Sequence, residues 1–323
     1  MIYRLIAALA LAGQLLAPAP ASSAESTPIR VGLDVGVNSL PFWIAMDKGF
    51  FEKRGLRVSD KVFDSGFLGL LAIGANEGDT SSQSDAPTLT LIGKGIDAVV
   101  VAVVARSADN YKIVGKNDIK QGQALKGRKV GMTLGSACEY VGLKYLAKQG
   151  LSRNDVNVVG ADPSELAPLL ARGDLDAACF WEPWGRKTVA LAPTKLHVIG
   201  TGRDIYAVNM YLTVRRSYAK QHPESVKAIL AGLQEANAYI GANKSEAIEI
   251  FRKKHRLDAE MANALVNEWE YSLVLDQQAI SAMREVGSWL VENKKLGALP
   301  DWNRLIDASY LRNVAPQAVT YKP

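Results

Sequence analysis

The run Gly135-Ser136-Ala137-Cys138-Glu139 is the clearest place in this chain for chemistry. A permissive glycine and a hydroxyl ahead of helix-forming residues mark a helix start. First-turn amides, aided by the helix dipole, attract an anion such as a sulfonate or carboxylate. Gly135 allows close backbone approach, Ser136 adds a hydroxyl, and the free amides of Gly135, Ser136 and Ala137 are the candidate contacts. Ser136 and Glu139 also stand at capping-box spacing, in which each side chain satisfies part of the turn. Glu139 then either folds back as that cap or faces a cationic group of a zwitterionic ligand.

Two earlier turns offer similar groups: Asn38, Ser39 and Phe42 at one, Ser65, Gly66 and Phe67 at the other. Both can present backbone amides and hydroxyls to one cleft, and Asn38, Ser39 or Ser65 can equally serve as ordinary helix caps. Residues 79–85 read as a polar loop whose last member, Asp85, can cap a helix starting near Ala86 or accept a hydrogen bond from a ligand amine. In Phe180-Trp181-Glu182-Pro183-Trp184, Pro183 removes an amide and holds Glu182 extended. Trp181 can then cover the apolar part of an organic ligand while Trp184 packs inside, and Glu182 can pair with a cation or with a hinge arginine. Tyr206 and Asn209 stand where further contacts could come from.

Enzyme chemistry finds little support. His197, His222 and His255 are the histidines of the chain, and none has metal-ligand spacing to another His or Cys. There is no nucleophile elbow, phosphate loop or dinucleotide fingerprint. Cys138 at a helix start is the one credible nucleophile, but no base can be paired with it. No catalysis, metal or cofactor is expected. Cys138 and Cys179 are the two cysteines. They are expected near the same end of one lobe, and a bridge between them requires a Cα separation near ~5.5 Å.

The elements that would position these groups follow from patterning. Alternating β-branched residues predict strands over 29–33, 56–63 and 129–133, and a continuous apolar run predicts a strand buried on both faces over 96–105. Helices are predicted over 41–48, 67–73, 137–148 and 164–171, with short strands at 156–159, 177–180 and 196–199. This βαβα rhythm implies mainly parallel sheets covered by helices. From about residue 211 the pattern turns to long helices, over 222–242, 245–254, 259–269 and 277–292. Residues 117–123 and 202–209 are the expected crossings between two lobes. In open parallel sheets, ligands sit outside the carboxyl ends of the strands, where loops lead into helix starts.

The chain has 323 residues, 48% of them hydrophobic and 22% charged, the proportions of an ordinary globular protein. Its 38 basic and 33 acidic residues are scattered, which gives no footprint for nucleic acid. Residues 1–24 combine a short basic start, an apolar run too short to span a bilayer, and a small-residue tail with Ser22 and Ala24 at the −3 and −1 positions of a cut before Glu25. They read as a secretory signal peptide, and the mature chain as exported and soluble.

Several segments, in order, resemble the periplasmic solute-binding proteins of ABC importers, within the nitrate/taurine/aliphatic-sulfonate family that also includes pyrimidine-precursor binders. Pro41-Phe42-Trp43-Ile44-Ala45 before Lys48-Gly49-Phe50-Phe51 is similar to the family's opening. Leu125-Lys126-Gly127-Arg128-Lys129-Val130-Gly131, followed by Gly135-Ser136, resembles its entry into the second lobe. Arg172-Gly173-Asp174-Leu175-Asp176-Ala177, leading to Trp181-Glu182-Pro183-Trp184, resembles the exit, and the likeness covers most of residues 29–311. Gly78-Asp79 is shortened relative to the family's Gly-x-x-Asp pattern.

The resemblance implies an α/β fold of type II periplasmic binding protein architecture: two α/β lobes with mainly parallel sheets and a cleft between them. Lobe one would comprise residues 25–120 and a helical return segment, 207–323, enclosing lobe two at 121–206. It implies a monomeric receptor in the periplasm that takes a small organic anion, sulfonate or taurine in type, to a permease in the inner membrane. The implied contacts are Asn38, Ser39, Phe42, Ser65, Gly66, Phe67, Asp85, Gly135, Ser136, Ala137, Trp181, Glu182 and Tyr206. A pyrimidine-like heterocycle or a carboxylate nutrient is the alternative ligand. An enzyme related to the pyrimidine-precursor synthases would need a histidine and a cysteine-rich loop that residues 135–139 do not supply.

Overall fold

A computed structural model describes residues 26–203 and 205–321. The signal peptide expected over residues 1–24 lies outside them. The chain builds two five-stranded sheets. The first has the order β2-β1-β3-β10-β4, from β1 (Thr27–Asp34), β2 (Leu56–Phe63), β3 (Thr80–Gln83), β4 (Ala98–Ser107) and β10 (Val208–Arg215). The second has the order β7-β6-β8-β5-β9, from β5 (Tyr111–Lys116), β6 (Lys129–Met132), β7 (Asn157–Gly160), β8 (Ala177–Trp181) and β9 (Leu196–Thr201). In each sheet one strand runs against the rest: β10 is antiparallel to β3 and β4, and β5 is antiparallel to β8 and β9. These reversed strands are the ones that directly follow the two crossings. A chain leaving the carboxyl edge of one sheet enters the other at its carboxyl edge and must run backwards through it.

The first crossing lies at residues 108–110, ahead of the expected 117–123, so the lobe boundary falls before residue 111 rather than at 120. Tyr111 to Gly115 pair with β8 and cannot belong to the first sheet. Two strands replace expected irregular or helical structure. The polar loop read over 79–85 contains β3, whose four residues are all buried. Part of its polarity is absorbed within the protein: the Thr80 hydroxyl donates to the Thr213 carbonyl at 2.7 Å, and Gln83 Nε2 donates to Thr88 and Thr213 hydroxyls. β10 occupies residues where a change to helix was expected, and it is buried over nearly its whole length.

Helices cover both sheets: α1 (Leu40–Asp47), α2 (Gly66–Gly74) and α3 (Asp85–Gly93) in the first lobe, α4 (Ala137–Lys148), α5 (Pro163–Arg172) and α6 (Trp184–Leu191) in the second. The return segment adds α7 (Arg216–Gln221), α8 (Pro223–Ala242), α9 (Lys244–His255), α10 (Ala259–Asn267) and α11 (Gln277–Glu292). α8 packs on α1, and α11 on α3. At the amino edge of the first sheet, Asp79 accepts from the Arg30 backbone and guanidinium and from Arg215. These bonds hold its carboxyl below the ordinary range although burial opposes them. They clamp β1, β3 and β10 at the end away from the strand termini that lead into α2 and α3. No described helix is long and apolar enough to cross a membrane.

Candidate ligand-binding site

The carboxyl edges of the two sheets meet around Tyr206, in the second crossing. Its hydroxyl donates to Asp85 at the start of α3. Its ring lies 5.9 Å from that of Tyr111 at the start of β5 and 5.4 Å from that of Tyr140 in α4. Tyr111 in turn pairs across the sheet with Trp181, the last residue of β8. The ends of β3 and β8 and the starts of α3 and α4 therefore converge on one junction, as ligand binding between lobes requires.

On the first lobe, the turn after β1 closes on Asp34, which accepts from the Gly36 amide at 2.9 Å and the Ser39 hydroxyl at 3.2 Å. Desolvation pushes the Asp34 carboxyl up against these bonds. Ser39 and Asn38 are buried in this turn; the Ser39 hydroxyl is spent on Asp34, whereas Asn38 Nδ2 is buried without a hydrogen-bond partner in the protein. Phe42 is fully buried in the core, so its expected ligand contact is corrected: the apolar face of α1 turns it inward.

The start of α2 differs. Ser65 stands at the N-cap in extended backbone, but its side chain makes no capping bond. Gly66 is packed so closely on the end of β3 that a Cβ there would meet the Ser82 carbonyl oxygen at 2.5 Å. Phe67, next along, is 42% exposed. Near this turn, Ser82 Oγ is buried without a hydrogen-bond partner in the protein. So is Asn209 Oδ1, close to the start of β10. Buried polar atoms in folded proteins are normally paired. Ser82, inside a segment read as a loop, was not among the expected contacts.

Asp85 is fully buried and accepts from Tyr206 and, at 2.7 Å, from Tyr211. Burial pushes its carboxyl up to about 6, with the two tyrosine bonds opposing. Tyr211 Oη also lies 2.8 Å from the Ala279 carbonyl. One hydroxyl proton cannot serve both acceptors. Below about pH 6 a protonated Asp85 relieves the conflict by donating to Tyr211, which then donates to Ala279; above it the carboxylate accepts from both tyrosines. Asp85 and the Tyr206 hydroxyl thus bond to each other at the junction where both were expected to meet a ligand.

On the second lobe, the start of α4 is sealed by its own side chains. Ser136 Oγ accepts from the Cys138 amide at 3.1 Å and donates to the Thr133 carbonyl, while Glu139 accepts from the Gly135 amide at 2.6 Å. The expectation of anion contact at Gly135, Ser136 and Ala137 is corrected accordingly: a carboxylate of the chain already lies there, and Ala137 is buried. Glu139 also pairs at 2.9 Å with Lys295, beyond α11, an interaction between lobes that no local pattern signals. Tyr140 and Lys144 add bonds across the same gap to Glu285.

Trp181 is half-buried at the end of β8, and Trp184 packs against the α5–α6 cluster. Glu182 turns away from the junction, and its expected ligand contact is corrected. It accepts from the Arg186 amide and lies in a buried group with Lys112, Arg186 and Glu268. Burial, with Glu268 nearby, pushes the Glu182 carboxyl up to about 7. Glu268 follows α10 in the return segment, and it receives Lys112 at 2.9 Å and Arg186 at 2.5 Å from the second lobe. The arginine partner left open by the sequence is Arg186, and the group clasps one lobe to the other.

Residues 22–252 match the model of the NMT1-like family. The chain belongs to this family. Among its relatives is a Bacillus subtilis protein with a provisional name as an aliphatic sulfonates-binding protein, 26% identical over 294 residues, covering 88% of this chain and 87% of that one. The fold is that of the periplasmic aliphatic sulphonate binding protein SsuA from Escherichia coli, with a TM-score of 0.76 at 22% identity over 87% of this chain and 97% of that one. The alkanesulfonate-binding protein SsuA from Xanthomonas axonopodis pv. citri, solved bound to MOPS, aligns with a TM-score of 0.74 at 21% identity over 92% and 99% of the two chains. Within the NMT1-like family the resemblance read from the sequence therefore holds, and so does the two-lobed α/β architecture.

Proposed function

We propose that this NMT1-like protein is an exported receptor of an ABC importer. It captures a small organic anion, an aliphatic sulfonate or taurine in type, between its lobes and delivers it to a permease in the inner membrane. The carrying observation is the contrast between two helix starts at one junction. Ser65 leaves the first amides of α2 without a side-chain cap, whereas α4 is closed by Ser136 and Glu139. Amides directed by a helix dipole hold an oxyanion without a counter-charge. The α2 turn, with Ser65, Gly66 and Phe67, is the proposed anion contact. Ser82 and Asn209 supply further polar atoms, and Trp181 forms an apolar wall from the other lobe. The sulfonate-binding relatives support the same ligand class.

Closure over the anion excludes water and strengthens each of these bonds. Thermal unfolding against a panel of alkanesulfonates, taurine, nitrate, aromatic acids and pyrimidines tests the reading. A ligand at a hundred times its dissociation constant adds about 2.7 kcal/mol of stability. Response to a sulfonate, with the compound recovered unchanged after long incubation, is the expected result. Response only to neutral heterocycles refutes the ligand class, and conversion of the compound refutes the receptor.

A further inference from the structure

We propose that Cys138 and Cys179 are joined by a disulfide in the exported protein. Their sulfurs lie 2.7 Å apart, closer than two unbonded thiols rest against each other, and both residues are wholly buried. Two rigid elements bring them there. Cys138 is the second residue of α4, where its amide is fixed by the Ser136 cap. Cys179 is the third residue of β8 and pairs across the ladder with Ile113. Alternation along β8 directs Ala178 and Phe180 into the cluster beneath α5 and α6, and turns Cys179 to the opposite face, toward α4. The juxtaposition therefore comes from helix and strand geometry and not from a flexible loop.

Burial decides when the bond forms and how long it lasts. It raises the Cys138 thiol well above its ordinary range, so that little thiolate exists in the folded chain, and no redox partner can reach either sulfur. Oxidation belongs to the stage of folding before α4 settles on β8. One cysteine thiolate attacks the disulfide of a dithiol oxidoreductase, or oxidised glutathione, and releases one thiol. The second cysteine attacks the mixed disulfide, forms the Cys138–Cys179 bond and releases the other thiol. Two electrons and two protons pass from the pair to the oxidant. The bond ties the turn after β6 to β8 two residues before Trp181, and so braces the lobe-two wall of the junction. It rests on the reading that the chain is exported, since thiols in reducing compartments stay reduced.

The full chain with its leader is produced in a Gram-negative host, fractionated, quenched in acid, then denatured and alkylated with and without reductant. Periplasmic protein that takes up no alkyl group without reductant and two with it is the expected result. Dithiothreitol should open the bond only once denaturant is added, with Tm lower by roughly 5–10 °C after reduction. C138S should leave Cys179 open to alkylation. Two alkyl groups without reductant on periplasmic protein overturns the proposal. Should the chain not reach the periplasm, the reading of export fails. Refolding in a glutathione redox buffer then decides the pairing: an intramolecular bridge supports it, and a reduced chain overturns it.

Discussion

Gly66→Ala is the sharpest perturbation of the proposed anion contact. A Cβ at this position would stand 2.5 Å from the Ser82 carbonyl oxygen and 2.7 Å from Gln83 Cβ. The nearer obstacle is backbone of a central strand, so the first turn of α2 must move by most of an ångström. Overpacking of this kind costs about 1–3 kcal/mol of stability. A hydrogen bond stretched from about 2.9 Å to about 3.6 Å is lost, and one to a charged group is worth about 1.5–3 kcal/mol. Affinity for the anion should fall about tenfold to a hundredfold. Gly74→Ala, at the other end of the same helix, is the control, since its Cβ meets only the movable side chain of Ile96, at 3.0 Å. Titration calorimetry on both variants, with urea unfolding to verify folding, provides the comparison. A folded G66A protein that binds as tightly as G74A would refute the assignment of the anion to this turn.

Other outcomes follow from the remaining features of the junction. Ser136→Ala removes the cap on the Cys138 amide and should cost about 1 kcal/mol in urea unfolding while leaving anion affinity unchanged; a loss of affinity would return α4 to the site. Asp85 has its carboxyl raised to about 6, so its contribution to stability is complete below about pH 4 and is lost as pH rises through 6. The stability of wild type relative to D85N should accordingly fall by about 2 kcal/mol between pH 4 and pH 6, and a constant difference across urea melts in that range contradicts a protonated Asp85 at low pH. Glu268→Gln strips the counter-charge from Lys112 and Arg186 and should cost about 3 kcal/mol, read as a lower urea midpoint. An unchanged midpoint would show that the clasp between lobes carries no stability.

Much of this architecture is legible in the sequence where apolar residues follow a single period. Ile29, Val31 and Leu33 alternate inward along β1, and the apolar run of β4 is buried on both faces, so both strands could be read directly. β3 could not, because Thr80, Ser81, Ser82 and Gln83 carry no apolar signal, and Thr80 and Gln83 are held by hydrogen bonds to Thr213, far along the chain. The S-x-x-E spacing at α4 marked side-chain caps, but they are not the reciprocal box it suggests: Ser136 Oγ takes the Cys138 amide and Glu139 reaches past the N-cap to the Gly135 amide. That the same carboxylate also binds Lys295 depends on how the lobes meet, which local spacing does not encode. Asp85 shows the same limit: its neighbours could be read as a helix start, but its proton depends on Tyr206 and Tyr211, brought in by the second crossing.

The account turns on which helix start receives the anion. Amide chemical shifts followed by NMR during titration with the alkanesulfonate that stabilises the protein most give the direct answer. The account predicts that the amides of Gly66 and Phe67 move furthest, while those of Gly135 and Cys138, already bonded to Glu139 and Ser136, stay in place. The largest changes at Gly135 and Cys138, with Gly66 and Phe67 unmoved, would contradict it.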